Sequence, residues 1–411
     1  MEELSLQDLQ RAATSHLRLL PHLKRCSSNG YIPRVATRII DNYEPAREAF
    51  ESCLLVPGGR FSLTRTKDSL QLWDLGNSAH SIIGSTPVAS QKVGEQDIGE
   101  PVRCEMIGLH QTTDGMGLIV HLAVDPLEGH RDYRRYDHYV IYPLETCPKF
   151  CLLASACIES QADNETMTTA QELAIFTESN FVVIWNYVSD TWIQWQSDMT
   201  VSYGETYICN SYLIVAADGA ISVFAMPPLQ PRIQNEPVPV ITHKPMYQLM
   251  HRKNVNDSYI VSDPWCDRTP PDAISNYIDI IHNTNAGGWV LDHYVLCPIK
   301  MTGSSAKLPT AFPIHEHEAH TSDEEVSDHV QMAWITPRDA VILFGSGSSL
   351  TIQLLTLPET EGGAVTQYPS CRMWTAGDET EYCFDFCSFA GRACIRDEMR
   401  PCEIRVIDYV P

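Results

Sequence analysis

Apolar and polar residues alternate with a period of two along most of the chain after residue 50. In the clearest segment, 70–75, the order is apolar, variable, apolar, bulky, polar and apolar. Such alternation is typical of β-strands that have one buried face. Similar segments occur seven times, at 70–75, 139–144, 181–187, 221–226, 294–299, 352–357 and 404–409. Helix-period segments are nearly absent from this part of the chain, so the pattern predicts an all-β fold.

The first copy of this segment ends a three-strand pattern. An apolar strand at 54–56 leads into a Pro-Gly-Gly turn at 57–59, a second strand follows at 61–64, and the third strand ends in Trp-Asp at 73–74. A Trp-Asp ending is typical of WD-type propeller blades. Seven copies therefore predict a seven-bladed WD40-like β-propeller. The alternative is a generic all-β protein whose unrelated strands fit the same loose pattern.

The N-terminal residues 3–25 have a helical period instead. The apolar stripe of this predicted helix consists of Leu6, Leu9, Ala13, Leu17 and Leu20. Pro21 is expected to limit the helix. We assign 1–30 to a short helical linker segment and 31–411 to the propeller. We interpret the stripe as packing on the chain's own domain, and docking of a partner is the alternative.

A further strand is predicted at 32–40, before the first blade. Propellers often close by pairing a strand from one terminus with strands from the other, which removes exposed sheet edges. The uneven spacing of the seven segments is explained by polar and proline-rich stretches, which we interpret as loops and insertions on the rim. These stretches are 85–100, 126–137, 227–239, 257–272 and 301–328, and we expect 126–137, 257–272 and 301–328 to hold the contacts with a protein partner.

The net charge of −23, from 52 acidic and 29 basic residues, changes the choice of partners. An acidic surface repels phosphate and anionic lipid, so we expect neither nucleic acid nor a membrane as a partner, and basic protein partners are compatible with it. The N-terminus lacks the pattern of a signal peptide, and 14 cysteines are spread through strand-like segments. An intracellular location, cytoplasmic or nuclear, is therefore expected.

Two groups of residues have spacings that resemble metal ligands. His315, Glu316, His317 and His320 precede an acidic run, and we expect them in a mobile loop without a metal. The other group consists of Cys383, Cys387, Cys394 and Cys402, which lie in strand-like sequence, so core packing is expected. Gly345-Ser346-Gly347-Ser348 is followed by no helix pattern and predicts a hairpin turn. We therefore expect neither a metal nor a cofactor.

Carboxylates are abundant, but none is placed in a catalytic pair by the sequence. Asp74 and Asp408 end two of the repeated segments, where a structural hydrogen bond is the usual role. We assign no catalytic residue, and the chain is expected to be a non-enzymatic protein-interaction propeller. The alternative is a propeller hydrolase or glycosidase that uses carboxylates facing the central channel.

The order of these features resembles the fungal F-box proteins that carry a WD40-like propeller. The likeness is most specific over 4–76: the leucine-rich helix with Lys24-Arg25, the turn segment 55–64, and the segment 70–76. The resemblance implies substrate recognition for a cullin ubiquitin ligase. An F-box itself would need a Leu-Pro start and three helices before the linker, and the chain begins at the linker. Binding to the cullin adaptor is therefore not expected of this chain as it stands.

Overall fold

The computed structural model describes residues 6–42, 48–93, 102–126, 133–159, 166–170, 172–178, 181–196, 205–209, 212–217, 220–233, 240–250, 255–261, 276–284, 289–297, 310–319, 329–336, 338–346, 349–356, 366–375 and 382–410. Within these residues the chain forms one helix and 31 strands. The prediction of an all-β fold with one N-terminal helix is confirmed for this part of the chain.

The elements follow one another as α1 (Leu6–Cys26), β1 (Ala36–Asp41), β2 (Phe50–Leu55), β3 (Phe61–Thr66), β4 (Ser69–Asp74), β5 (Ala89–Lys92), β6 (Val102–Gln111), β7 (Leu118–Pro126), β8 (Tyr133–Ile141), β9 (Cys151–Glu159), β10 (Thr166–Ala170), β11 (Leu173–Glu178), β12 (Phe181–Asn186), β13 (Thr191–Gln196), β14 (Glu205–Cys209), β15 (Tyr212–Ala217), β16 (Ala220–Ala225), β17 (Gln230–Pro231), β18 (Val240–Thr242), β19 (Tyr247–Met250), β20 (Val255–Val261), β21 (Asn276–Thr284), β22 (Trp289–Cys297), β23 (Thr310–Ala319), β24 (His329–Trp334), β25 (Asp339–Ser346), β26 (Ser349–Thr356), β27 (Thr366–Gln367), β28 (Cys371–Thr375), β29 (Tyr382–Cys387), β30 (Arg392–Asp397) and β31 (Glu403–Asp408).

These strands pair into seven sheets within the described residues, and most of the sheets use consecutive strands of the chain. We number them sheet 1 (β2–β5), sheet 2 (β6–β9), sheet 3 (β10–β13), sheet 4 (β14–β16 and β19), sheet 5 (β20–β23), sheet 6 (β24–β28) and sheet 7 (β29–β31 and β1). The short strands β17 and β18 extend sheet 3, and only β18 pairs in parallel. Four antiparallel strands side by side in chain order fit the blades of a β-propeller.

The seven repeated segments correspond to the third strands of the seven sheets. These third strands are β4, β8, β12, β16, β22, β26 and β31, and each overlaps one predicted segment. A third strand has neighbours on both sides, so it carries apolar residues toward both adjoining sheets.

Successive sheets pack face to face. Their first strands contact one another, as β6 with β10, β10 with β14, β14 with β20, β20 with β24, and β29 with β2. Buried side chains are shared between sheets as well: Leu63 of sheet 1 clusters with Val120 of sheet 2, and Val341 of sheet 6 clusters with Ile395 of sheet 7. The burial of apolar surface between sheets is the main stabilising contribution in such an arrangement.

The two ends of the chain meet in sheet 7. Strand β1 pairs antiparallel with β31 over six residue pairs, from Ala36 opposite Asp408 to Asp41 opposite Glu403. The predicted pairing of a strand near the N-terminus with strands from the other terminus is confirmed. Sheet 7 in turn packs against sheet 1, because Cys394 and Val406 share a buried cluster with Phe50.

The helix α1 packs on sheets 6 and 7, which agrees with the expected packing on the chain's own domain. Its buried residues are Leu19, Leu23 and Cys26, whereas Leu17 of the predicted stripe is 53% exposed. The predicted stripe is therefore wrong at Leu17, since a second line of apolar residues with the same spacing faces the sheets. Pro21 lies inside the helix rather than at its end, and the buried leucines on both sides of it offset the lost backbone hydrogen bond.

Two predicted insertions begin or end within strands. In the stretch 126–137, β7 extends to Pro126 and β8 begins at Tyr133. In the stretch 257–272, β20 continues to Val261. The remaining residues of both stretches lie outside the described part of the chain.

The third predicted insertion, 301–328, was wrong over ten residues. Strand β23 (Thr310–Ala319) lies at the outer edge of sheet 5 and pairs with β22. An outer strand has a partner on one side only, so its polar composition is compatible with pairing. The predicted loops at 85–100 and 227–239 likewise contain the short strands β5 and β17. The boundaries 1–30 and 31–411 stay a prediction.

Candidate functional site

The connections between strands leave the sheets at two edges. Because paired strands are antiparallel, the first-to-second and third-to-fourth connections leave each sheet at the same edge. We call the side formed by these edges the lower face, and the opposite side the upper face. Lower edges of neighbouring sheets lie together: Phe61 of sheet 1 and Phe150 of sheet 2 share a buried cluster. At the other side of sheet 1, Arg392 of sheet 7 donates to the Gly76 carbonyl.

Exposed apolar side chains are found in the lower-face connections of four sheets. Ile82 is 93% exposed between β4 and β5, and Met116 is 60% exposed between β6 and β7. Leu144 and Val188 occupy the third-to-fourth connections of sheets 2 and 3, and Ile233 lies in that of sheet 4. Large apolar residues that recur on one side of a molecule are typical of a binding surface. These five residues form the candidate functional surface.

A buried ion network supports the lower face where sheets 7 and 1 meet. Asp408, at the end of β31, accepts hydrogen bonds from Arg38 of β1 at 2.8 Å and from Arg392 of β30 at 2.6 Å. Both guanidinium groups also donate to carbonyl oxygens of sheet 1, Arg38 to Leu75 and Arg392 to Gly59. The predicted structural role of Asp408 is confirmed. The network fixes the turns of sheet 1 against the strands that join the two termini.

The Pro-Gly-Gly turn of sheet 1 is held in the same place. Gly59 has a φ of +71°, and a Cβ atom added there would lie 2.2 Å from the Cβ atom of Ala390 in sheet 7. Close approach of two turns therefore requires glycine at this position. Asp74 forms a 2.8 Å ion pair with Arg60 and accepts a hydrogen bond from the Gly76 amide, which confirms its predicted structural role.

Cysteines and one carboxylate lie on the face of sheet 7 that packs against sheet 1. Burial raises the pKa of Cys387 to about 11 and that of Cys394 to about 12. Their predicted packing in the core is confirmed. Cys383 differs, because the residue is partly exposed and its thiol is hydrogen-bonded to the thiol of Cys53 in β2. This contact between strands of two sheets was not predicted.

Asp385 lies between Cys383 and Cys387 on the same face of β29. Burial raises the pKa of its carboxyl group, although the group accepts hydrogen bonds from the Leu55 amide, the Gln331 side chain and the Phe386 amide. A catalytic pair would place a second carboxylate beside it. In the part of the chain that the structure describes, the hydrogen-bond partners of Asp385 are these three donors, so its oxygens are occupied by structural contacts.

A pair of histidines is buried inside sheet 2. His121 of β7 and His138 of β8 face each other through their Nδ1 atoms, and both side chains are 0% exposed. The His138 ring stacks on Tyr187 with 4.6 Å between centroids, and His110 packs edge-on against His121. Burial, reinforced by the charge of His110, lowers the pKa of His138 to about 3. Burial also holds the pKa of His121 well below its usual value.

Several other candidate residues from the sequence analysis fall outside the part of the chain whose side chains are described. The side chains of His315, Glu316 and His317 on β23, and the whole of His320, lie outside the described residues, as does the side chain of Trp334. Among the side chains that are described, no group of three or more His, Cys, Asp or Glu residues could hold a metal ion.

The remaining predictions concern packing and turns. Trp192 and Trp195 are buried in sheet 3. Ser346 pairs with Ser349 across a hairpin between β25 and β26, which confirms the turn predicted for the glycine-rich segment. Within the described residues, no helix is long and apolar enough to cross a membrane.

Comparison with known proteins gives a distant likeness in shape. No family model and no curated protein matches the sequence. Solved structures similar to this chain include the WD40 domain of SCAP from fission yeast, with a TM-score of 0.46 and 10% identity over 88% of this chain and 82% of that one. Another is the β-propeller domain of Nup133 from Vanderwaltozyma polyspora, with a TM-score of 0.42 and 10% identity over 90% of this chain and 99% of that one. Such scores are low, so the fold description rests on the strand pairing above.

Proposed function

We propose that this chain is a seven-bladed, non-enzymatic WD40-like propeller whose lower face binds a protein partner. The observation that carries the proposal is the recurrence of exposed apolar side chains in lower-face connections, represented by Ile82 and Met116. Exposed apolar residues on a rigid framework contribute binding free energy when a partner buries them. The net charge of −23 favours a partner with basic groups around the apolar contact.

The seven blades are part of the same proposal. Its support is that seven sheets are found among the described residues, that the first strands of five neighbouring pairs of sheets contact each other, and that sheet 7 packs against sheet 1. Loops on such a ring are held in fixed positions by the sheets beneath them, which suits recognition of a large surface. The predicted contact stretches 126–137, 257–272 and 301–328 lie largely outside the described residues, so they remain additional candidates for the contact.

The test compares two variants with the wild-type chain. Ile82→Asp combined with Met116→Asp places charges on the lower face, whereas Met399→Asp places one at a 75% exposed residue between the second and third strands of sheet 7, on the upper face. All three tagged chains are purified from cells and the accompanying proteins are quantified. We expect a partner that is retained by Met399→Asp and reduced about tenfold or more by the double variant. Equal recovery of every accompanying protein with all three chains would contradict the lower-face assignment.

The rival function, a propeller hydrolase or glycosidase, would draw on carboxylates near the ring centre. Asp385 lies on a first strand and has a raised pKa, which is the observation that favours it. Its three hydrogen-bond donors favour a structural role instead. Turnover of ester or glycoside substrates by the wild-type chain that Asp385→Asn abolishes, without loss of folding, would replace the binding proposal with the enzymatic one.

The narrower part of the proposal is substrate recognition for a cullin ubiquitin ligase inside the cell. It rests on the sequence resemblance over 4–76 alone. If it is correct, depletion of the chain stabilises the lower-face partner, and ubiquitylation of that partner falls. A partner whose ubiquitylation and lifetime do not change on depletion would limit the proposal to binding.

A further inference from the structure

Two cysteine thiols meet at the contact between sheets 1 and 7. Cys53 lies on β2 and Cys383 on β29, which are the first strands of the two sheets and contact each other. The two thiols are hydrogen-bonded, and the Cys53 backbone amide also donates to the Cys383 sulfur. Cys53 is buried, whereas Cys383 is partly exposed. Cys383 is therefore the more accessible residue of the two, and its thiol is in hydrogen-bond contact with the buried one.

The surroundings of Cys383 favour its thiolate. The hydrogen bond from Cys53 is the largest cause that acts on the pKa of Cys383. Burial and the negative charge of Asp385 raise this pKa, but the hydrogen bond and the positive charge of Arg396 outweigh them and lower it to about 7. Arg396 is the residue opposite Cys383 in the pairing of β29 with β30. The thiolate is the form of cysteine that attacks peroxides and disulfides. Burial raises the pKa of the neighbouring Cys387 to about 11 and keeps it a thiol at neutral pH.

We propose that Cys383 and Cys53 form a peroxide-sensitive pair that oxidises to a disulfide between sheets 1 and 7. The Cys383 thiolate attacks hydrogen peroxide, the O–O bond breaks, and Cys383 sulfenic acid and hydroxide are formed. The Cys53 sulfur then attacks the sulfenic sulfur, and its proton leaves with the departing hydroxide as water. In total two thiols lose two electrons and two protons, and one peroxide becomes two waters. A dithiol reductant reverses the change.

The disulfide would link sheet 1 covalently to the sheet in which the two ends of the chain meet. It joins β2 to β29, the first strand of sheet 7, whereas β1 pairs with β31 at the opposite edge of that sheet. A covalent link between residues far apart in sequence restricts the unfolded chain and raises thermal stability. Oxidation is therefore expected to raise Tm by several degrees, on the order of 5 °C. This inference goes beyond the proposed function and does not depend on the partner of the lower face.

The wild-type chain gives the first test, so no variant needs to fold. The reduced protein is treated with hydrogen peroxide, alkylated and digested without reductant, and the peptides are identified by mass spectrometry. We expect the Cys53 peptide linked to the Cys383 peptide, with a loss of about 2 Da from the intact chain. Before oxidation, the rate of alkylation of Cys383 by iodoacetamide should rise with a midpoint near pH 7, below the pH ~8.5 that is usual for a thiol. A Cys383 that reacts no faster at pH 7 than the exposed Cys147 would overturn the proposal.

Two single variants separate the pair from general oxidation. The Cys53→Ser variant lacks the neighbouring thiol that would react with the Cys383 sulfenic acid. We therefore expect Cys383 sulfinic acid to accumulate and Tm to stay unchanged on oxidation. In Cys147→Ser, which removes an exposed cysteine, the disulfide and the Tm rise are expected to match those of the wild type. Peroxide-induced stabilisation that persists in Cys53→Ser, or a linked peptide that joins other cysteines instead, would refute the assignment of the pair.

Discussion

The buried histidines of sheet 2 should make the stability of the fold sensitive to mild acid. His121 and His138 are fully buried, and among the described residues neither Nε2 atom has a hydrogen-bond partner. The groups that face the pair are His110 on β6, Tyr187 after β12 and Trp185 on β12. None of them is an acid that would stabilise an imidazolium. The perturbation is therefore a change of pH from 7.5 to 5.

The direction follows from the two pKa values of each ring. The ordinary pKa of 6.5 applies in the unfolded chain, and the pKa of His138 in the folded chain is about 3. The unfolded chain therefore binds protons first, so stability is fully present above pH 6.5 and falls as the pH drops toward 3. At pH 5 the histidine rings of the folded chain are still neutral, so the loss of stability depends only on the pKa of histidine in the unfolded chain. It amounts to ~2 kcal/mol for each histidine and ~4 kcal/mol for the pair.

The measurement is the free energy of unfolding in urea at pH 7.5 and pH 5. Approach to the isoelectric point, near 4.9, reduces repulsion between acidic groups and acts in the opposite direction. The wild type is therefore compared with a variant that carries His121→Leu and His138→Leu, apolar residues of similar volume. We expect the wild type to lose ~4 kcal/mol more than this variant on acidification. At pH 7.5 the variant should be close to the wild type, since both partners of an unsatisfied polar pair have been replaced.

A matched control uses a histidine in solvent. His80 is exposed, so His80→Gln should keep the full pH dependence of the wild type. Equal pH dependence in the wild type and the double leucine variant would refute the reasoning, because it would mean that the two rings are protonated equally in the folded and unfolded chains. The reasoning would also be refuted if the pH dependence of stability disappeared in His80→Gln and not in the double leucine variant.

Three further substitutions test packing and closure by urea unfolding. Leu19→Ala should destabilise the chain by about 2–4 kcal/mol, because Leu19 is buried against the sheets. Leu17→Ala, on the exposed side of the helix, should change stability by less than about 0.5 kcal/mol. Similar losses in the two variants would contradict the observed helix orientation. Asp408→Asn leaves the buried Arg392 guanidinium and the partly buried Arg38 guanidinium without their carboxylate, so it should cost about 3–5 kcal/mol. A change below about 1 kcal/mol would show that the network is not buried in solution. Gly59→Ala combines a positive φ with a steric clash, whereas the Cβ atom added by Gly58→Ala meets nothing within 4 Å. Gly59→Ala should therefore destabilise the chain by about 1–3 kcal/mol more than Gly58→Ala. Equal losses of stability would contradict the contact between the two turns.

The sequence contained enough to locate the strands but not their partners. The third strands could be found because each is flanked by two strands and keeps an apolar pattern on both faces. The pairing of 36–41 with the end of the chain could be predicted because a lone strand near one terminus needs a partner. The predicted insertion at 301–328 failed because an outer strand such as β23 can be polar without losing its pairing.

The candidate sites depend on register, which the sequence does not display. His121 and His138 meet because they are directly opposite in the pairing of β7 with β8, and a shift of one residue would point them to opposite faces. Cys53 and Cys383 meet only after sheets 1 and 7 are packed. The strand-like sequence around Cys383 and Cys387 correctly indicated a strand, but nothing in the sequence indicates that Cys53 lies against it.

The contact between sheets 1 and 7 satisfies charged groups of sheet 7 with backbone groups of sheet 1. Asp408 requires Arg38 from β1 and Arg392 from β30, and both guanidinium groups require carbonyl groups of sheet 1. Asp385 likewise requires the Leu55 amide. Before the ends of the chain meet, these groups are exposed to water, and if the sheets packed in another order they would be buried without partners. Because a buried charge without its partner costs several kcal/mol, the polar groups select this closure over other packings. Apolar contacts between sheets supply most of the stability but cannot distinguish one pair of sheets from another in this way.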